Sequence, residues 1–443
     1  MKTSLENRWE SLRTNFWFVP AVMVAGAVAL FAGLLALDAA VPTAGAWVHF
    51  GTVEGIRVLL GVLIGSLATA LSVVFSITIV ALTLAASQLG PRLLRTFMRD
   101  RLNQVTLGLF VSTFVYCLLA LVSIGKAEQR PETPDITILG GLLLTLASLA
   151  VLVYFIHHVA EALQAPNVIL AVSRELEWVI DREFPEKLEP SDREEAPPPT
   201  TDLPQEAGAV TATEDEYIQA IDVAGLVAVA AERDLVIRVT HRPGDFVVRG
   251  EPLATVYGAE TLEGDVEQMI RRMMRTAFIL GVRRTSVQDV EYVLTQLVEI
   301  AVRALSPGIN DPFTAMTCVE KLEAALCHLA GRRMPPVQRC DDEGRLRLIL
   351  DQTTFAGICN SAFDQIRQHA RSDAAVTIRM LEALHVIARY VRTDEQRQAV
   401  WRQAAMIHRN GQNLPEPFDR KDAEERFHAI EQALQPEPKL PKD

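Results

Sequence analysis

Four stretches of the chain stay apolar over the length that a bilayer demands: about residues 16–37, 56–86, 105–124 and 136–156. A helix needs about 20 consecutive apolar residues to cross the hydrocarbon core, so the pattern predicts four spans in a membrane domain of residues 1–160. The first run is too long, and lacks a convincing small-residue cleavage site, to be a removable signal. The second run exceeds one crossing. Continued as helix to Leu89, it measures about 50 Å at 1.5 Å per residue, against a core of about 30 Å. It is expected to tilt or to project beyond the bilayer until Gly90-Pro91 stops it.

Within that second run, Gly65, Thr69, Ser72, Ser76, Thr83 and Ser87 recur at helical spacing and fall within a sector about 60° wide. Two readings stand open. Small residues let helix backbones approach closely and hydroxyls bond across the gap, giving a packing seam. The same residues also suit the wall of a hydrated pathway in an oligomer. No charged residue lies in the stripe, which argues against ion-coupled pumping through it.

Beyond the spans the periodicity changes. Residues 161–184 read as an amphipathic helix leaving the membrane, and 185–214 as a flexible acidic linker rich in proline. Residues 215–262 form a small β-rich module: "EYIQAID" and "LVIRVT" alternate like strands, with a short helix in "VAGLVAVAAERD" between them. Residues 263–435 are read as a helical domain, with helices at about 264–280, 286–305, 312–330, 353–370, 374–391, 394–409 and 420–434. Thr285 with Gln288 fits a capping box for the second of these. Residues 436–443 are expected to be a disordered tail. The fold class is therefore mainly α: a four-helix transmembrane domain plus a cytoplasmic α+β domain, made of a small β part and a helical bundle.

Composition agrees with this division. Hydrophobic residues make up 49% of the 443 and mean hydropathy is +0.17, high for a chain 22% charged. Residues 1–160 carry 10 basic and 8 acidic side chains, whereas 181–216 alone carry 3 and 12. Arg92, Arg95, Arg99 and Arg101 lie between the second and third runs, and Lys2, Arg8 and Arg13 precede the first. The positive-inside rule then places both termini on the cytoplasmic side of the membrane. The partner implied is the lipid bilayer. No strongly basic domain is present, which argues against nucleic acid. Five cysteines without a C-x-x-C pair point to free thiols.

Candidate chemistry is sparse. In "ALSPGINDPFTA" (304–315), Pro307 and Gly308 suit a turn, Asp311 suits an N-cap, and Pro312 suits the first helical position. The functional alternative is that Ser306, Gly308, Asn310, Asp311 and the free amides at the helix start bind a small ligand or anion. Glu382 and His385 have the E-x-x-H spacing of a carboxylate-bridged metal site, which needs a second such motif on a facing helix to bind a metal pair. His157-His158 ends the fourth span, and Cys327-His328 lacks further zinc ligands. No metal site or cofactor is therefore expected. Without a nucleophile elbow, phosphate loop or H-E-x-x-H motif, the chain leans away from being an enzyme.

Two resemblances bear on the reading. "VTHRPGDFVVRGEPLATV" (239–256) resembles half of a biotinyl/lipoyl-type barrel-sandwich module, in which P-G-D and G-x-P-L turns bracket short strands. Such carriers modify a lysine; this chain has none from 188 to 320, so no covalent lipoyl or biotin group is expected and only the fold carries over. Taken together, "VVFSITIVALTLAASQLGPRLLRTFMRDR", "RPGDFVVRGEPLA" and "RALSPGINDPFTA" make the chain similar to the bacterial membrane-protein family labelled domain of unknown function 2254, from Phe16 to the region around His385. That resemblance implies the membrane architecture and no activity. The residues themselves favour a homo-oligomeric channel or transport-type pore with a cytoplasmic gating or assembly domain. A non-conducting scaffold or sensor that recruits a cytoplasmic partner is the alternative.

Overall fold

A computed structural model describes residues 17–40, 52–88, 101–126, 134–162, 164–186, 203–258, 272 and 276–435. The chain divides into two compact units, Met1–Asn167 and Val168–Asp443.

The first unit holds four helices long and apolar enough to cross a membrane: α1 (Phe18–Ala40), α2 (Val53–Gln88), α3 (Arg101–Lys126) and α4 (Asp135–Ala162). α3 is the centre, touching the other three, and its Phe110, Tyr116, Cys117, Ala120 and Ile124 are buried. Polar groups tie the bundle together where apolar packing gives no drive in lipid. Asp38, near the end of α1, caps the start of α4: its Oδ1 accepts the Ile136 N–H (3.1 Å) and its Oδ2 accepts the Thr137 N–H (2.9 Å) and hydroxyl (2.6 Å). The Tyr116 hydroxyl donates to the Thr137 carbonyl at 2.8 Å, and Thr113 and Ser148 share a hydrogen bond at 3.0 Å. Gly140 makes room for this: a Cβ there would stand 2.7 Å from both the Tyr116 hydroxyl and Leu34 Cδ1.

The second unit combines helices and mixed sheets. α5 (Ala165–Glu183) leads into β1 (Glu206–Thr211), β2 (Glu216–Ile221), α6 (Val223–Glu232), β3 (Val236–Val239), β4 (Phe246–Val247), β5 (Pro252–Tyr257) and β6 (Phe278–Gly281). Then follow α7 (Val290–Ala304), α8 (Pro312–Ala330), β7 (Gln338–Cys340), β8 (Leu346–Leu350), α9 (Phe355–His369), α10 (Ala374–Ala388), α11 (Asp394–Gly411) and α12 (Pro417–Leu434). The strands form one sheet in the order β1-β5-β3-β8-β7 and a second in the order β4-β2-β6. All pairings are antiparallel except β3 with β8, where Ile237 lies opposite Leu348 and Val239 opposite Leu350. Both sheets and α6 share one core, including Val210, Ile218, Leu226, Ile237, Val256 and Leu348. The helices α7 to α12 pack on one another as a bundle.

Five elements differ from the sequence reading. β1 lies inside the stretch expected to be linker (185–214), because Ala207, Val210 and Ala212 are buried against β5; small alanines beside an acidic run carried too weak a signal. Most of the helix expected at 264–280 lies outside the described residues, and its last positions are strand: Phe278–Gly281 pairs with β2, Ile221 facing Phe278. A four-residue apolar run does not distinguish strand from helix until a sheet edge claims it. β7 and β8 were not anticipated; β8 inserts beside β3 across more than a hundred residues, so the β part is assembled from chain well outside 215–262. Finally, α7 is capped by Asp289, whose side chain accepts the Tyr292 N–H, and not by a Thr285–Gln288 box. Gln288 instead spans the Ile221 backbone, accepting its N–H at 2.8 Å and donating to its carbonyl at 3.2 Å. The tail at 436–443 lies outside the described residues.

Candidate functional site

α2 presents two faces. Its buried side is Ile56, Leu60, Leu67, Val74 and Ala81, a seven-residue repeat that packs on α3. Gly65, Thr69, Ser72, Ser76 and Thr83 are all exposed and lie about 180° around the helix from that seam at 100° per residue. A Cβ added at Gly65 would meet nothing within 4 Å. Among the described residues the stripe is therefore not a seam within this chain. Two of its hydroxyls are internally satisfied: Thr69 donates to the Gly65 carbonyl (3.0 Å) and Thr83 to the Ile79 carbonyl (2.9 Å). The Ser87 side chain lies outside the described residues.

The 304–315 motif is a closed joint between α7 and α8. The Ile309 and Asn310 amides both donate to the Ser306 carbonyl, and the Asp311 amide donates to the Ala304 carbonyl. The Ser306 hydroxyl donates to the Arg303 carbonyl at 2.6 Å. Asp311 caps α8, accepting the Thr314 N–H (3.1 Å) and hydroxyl (2.6 Å). Asn310 carries φ +50°, the left-handed conformation that asparagine tolerates. Gly308 and Asn310 are solvent-exposed, and Phe313 beside them is 75% exposed. Ser306, Gly308, Asn310 and Asp311 are thus brought together in one turn, with Gly308 and Asn310 on its open side.

A cleft of about 140 Å³ does exist elsewhere in the second unit. It is lined by Glu183 at the end of α5 and Phe184 just after it, Arg242 in the β3–β4 turn, Gln288, Arg339 and Thr353. The turn is built for this position. The Asp245 N–H donates to the Arg242 carbonyl, the Arg242 N–H donates back to Asp245 Oδ2 at 2.9 Å, and Gly244 carries φ +99°. A Cβ on Gly244 would stand 2.2 Å from Asp289 Oδ2. The Arg242 guanidinium lies 3.5 Å from both Glu291 and Thr353. Asp289 is buried and held by Arg284 at 2.7 Å; burial still pushes its carboxyl above the ordinary value, against the opposing pull of Arg284. Burial also raises Glu183, with Arg182 opposing. The upward shifts of these two carboxyls were invisible in the sequence; the P-G-D turn was the one signal that pointed to this region.

Two of the remaining candidates have charged partners. Glu382 is held by Arg426 at 2.8 Å and Arg379 at 3.4 Å. His328 Nε2 lies 2.7 Å from Asp181. Burial pushes the thiols of Cys318 and Cys359 up to about 12 and that of Cys327 up to about 11, which suppresses the thiolate that nucleophilic chemistry requires.

Comparison with known proteins places this architecture. Residues 13–386 match the family DUF2254, described as a predicted membrane protein. The chain belongs to that DUF2254 family. The match takes in all four spans, the glycine turns and the 304–315 motif. An uncharacterised protein of Mycobacterium bovis and another of Mycobacterium tuberculosis are each 33% identical over 364 residues, covering 82% of this chain and 69% of the relative. No solved structure matches.

Proposed function

We propose that this DUF2254 member assembles from identical copies in the bacterial inner membrane into a channel or transport-type pore. In this reading both termini are cytoplasmic and the second unit gates or assembles the pore. The observation that carries it is the orientation of the stripe from Gly65 to Thr83. The helix uses its opposite face on α3, so the small and hydroxyl positions are left for a neighbour or for water. The length of α2 supports it too: 36 residues reach about 54 Å, enough to extend a lining beyond the hydrocarbon. The loop arginines support the orientation. The cleft supports a gating role, because Glu183 and Phe184 end the helix that begins three residues after the fourth span.

The internal bonds of Thr69 and Thr83 favour a second reading, a dry seam that assembles a sealed scaffold. Flux from liposomes separates the two. The pore reading expects release of ions or small osmolytes, reduced at least tenfold by Ser72→Leu with Ser76→Leu. Release from no vesicle, with an oligomer that the same changes merely dissociate, assigns the stripe to packing alone.

A further inference from the structure

α5 follows the fourth span after only two residues. Its buried positions, Ile169, Val172, Leu176, Val179 and Ile180, occupy one side. About 180° away at 100° per residue runs an exposed ridge at four-residue spacing: Leu170, Arg174, Trp178 and Arg182. Trp178 is 55% exposed and Leu170 38%. The Arg182 guanidinium stacks 4.3 Å over the Trp178 ring and donates to Glu183 at 2.8 Å. Arg174 has no ion pair among the described residues.

A ridge of this composition is matched to one environment. Tryptophan and arginine concentrate at the bilayer–water interface, the indole among headgroups and the guanidinium on phosphate. Acidic groups flank the ridge on both sides: Glu177 and Asp181 along one, the latter already occupied by His328 and Arg332, and the half-buried Glu175 along the other. The covalent tether supplies the second argument. Pointing straight away from the bilayer, α5 would carry Trp178 about 24 Å from the end of the span at 1.5 Å per residue, leaving an apolar ring and a leucine in water. Lying in the membrane plane, the helix brings all four side chains to headgroup depth.

We infer that the Leu170–Arg174–Trp178–Arg182 ridge rests on the headgroup layer of the host membrane, with its arginines on the phosphates of anionic lipids. This does not depend on whether the spans form a pore. The test uses the full chain reconstituted into phosphatidylcholine vesicles with or without phosphatidylglycerol, some lipids carrying a headgroup nitroxide. The Trp178 emission is the difference between wild type and Trp178→Phe. Labelled headgroups are expected to quench it at least twofold, more strongly with phosphatidylglycerol. Arg174→Glu with Arg182→Glu should remove more than half of that quenching, while the Trp401 emission, isolated with Trp401→Phe, responds only to aqueous acrylamide. If acrylamide quenches Trp178 as freely as Trp401 and labelled lipid does not, the ridge faces water and the inference falls. Protection from both quenchers would also overturn it, because a protein surface then covers the ridge.

Discussion

Replacing Gly244 by alanine tests the construction of the β3–β4 turn. Two costs combine. At φ +99° a side chain is strained by about 1–2 kcal/mol. The new Cβ would also fall 2.2 Å from Asp289 Oδ2 and 2.8 Å from its Cγ, so the carboxylate must leave. That removes the cap of α7, about 0.5–2 kcal/mol, and loosens Arg284 from a buried acid, a further loss of order 1–3 kcal/mol. The sum for Gly244→Ala is about 2.5–7 kcal/mol. Asp289→Ser shortens the side chain, keeps an N-cap and clears the space. In that background Gly244→Ala should cost only the backbone strain, about 1–2 kcal/mol, giving a coupling of about 1.5–5 kcal/mol. The assay is equilibrium urea unfolding of the detergent-solubilised chain, followed through Trp401 in the second unit. Additive effects within about 0.5 kcal/mol would refute the contact and the reason given for glycine.

Other outcomes follow from the same geometry. Asp38→Ala strands two amides and a hydroxyl at the start of α4 and should destabilise the membrane unit by about 2–4 kcal/mol, with Asp38→Asn intermediate, read by SDS-induced unfolding in mixed micelles. Asn310→Ala should cost about 1 kcal/mol and Asn310→Gly nothing or a slight gain, measured as shifts in the unfolding midpoint. Glu183 is raised by burial, so its folded form binds the proton more tightly than the unfolded chain does. Its stabilising contribution is present below the ordinary value of 4.5 and is lost as pH rises through the higher folded value. Glu183→Gln should therefore unfold with less loss of stability than wild type when pH is raised from about 4.5 to neutrality; equal slopes would contradict the burial.

The spans were legible because a bilayer demands uninterrupted apolar length, and α1 to α4 begin and end within a few residues of the runs in the sequence apart from α4, which continues to Ala162. The bundle helices were legible through their apolar spacing and through caps such as Asp311 before Pro312. The sheets were only half legible. β2, β3 and α6 announce themselves locally, whereas β8 is recruited by Ile237 and Val239 from far along the chain, and nothing local to "LRLIL" says which edge it will join. The cleft was hidden for the same reason: its lining comes from five separate segments, and the perturbation of Glu183 and Asp289 arises only once they are packed. The stripe on α2 was visible as a pattern, but its direction was not. Only the seam of Ile56, Leu60, Leu67, Val74 and Ala81 on the far side shows that the stripe faces away from its own chain.

The central claim is that this outward stripe joins identical copies around an axial path. The most direct measurement is the mass and symmetry of the detergent-solubilised particle, by light scattering and single-particle imaging. The account predicts a closed ring of identical subunits with the second helix, at Ser72 and Ser76, innermost and a continuous cavity along the axis. A monodisperse monomer, or an assembly in which Ser72 and Ser76 face lipid, would contradict it.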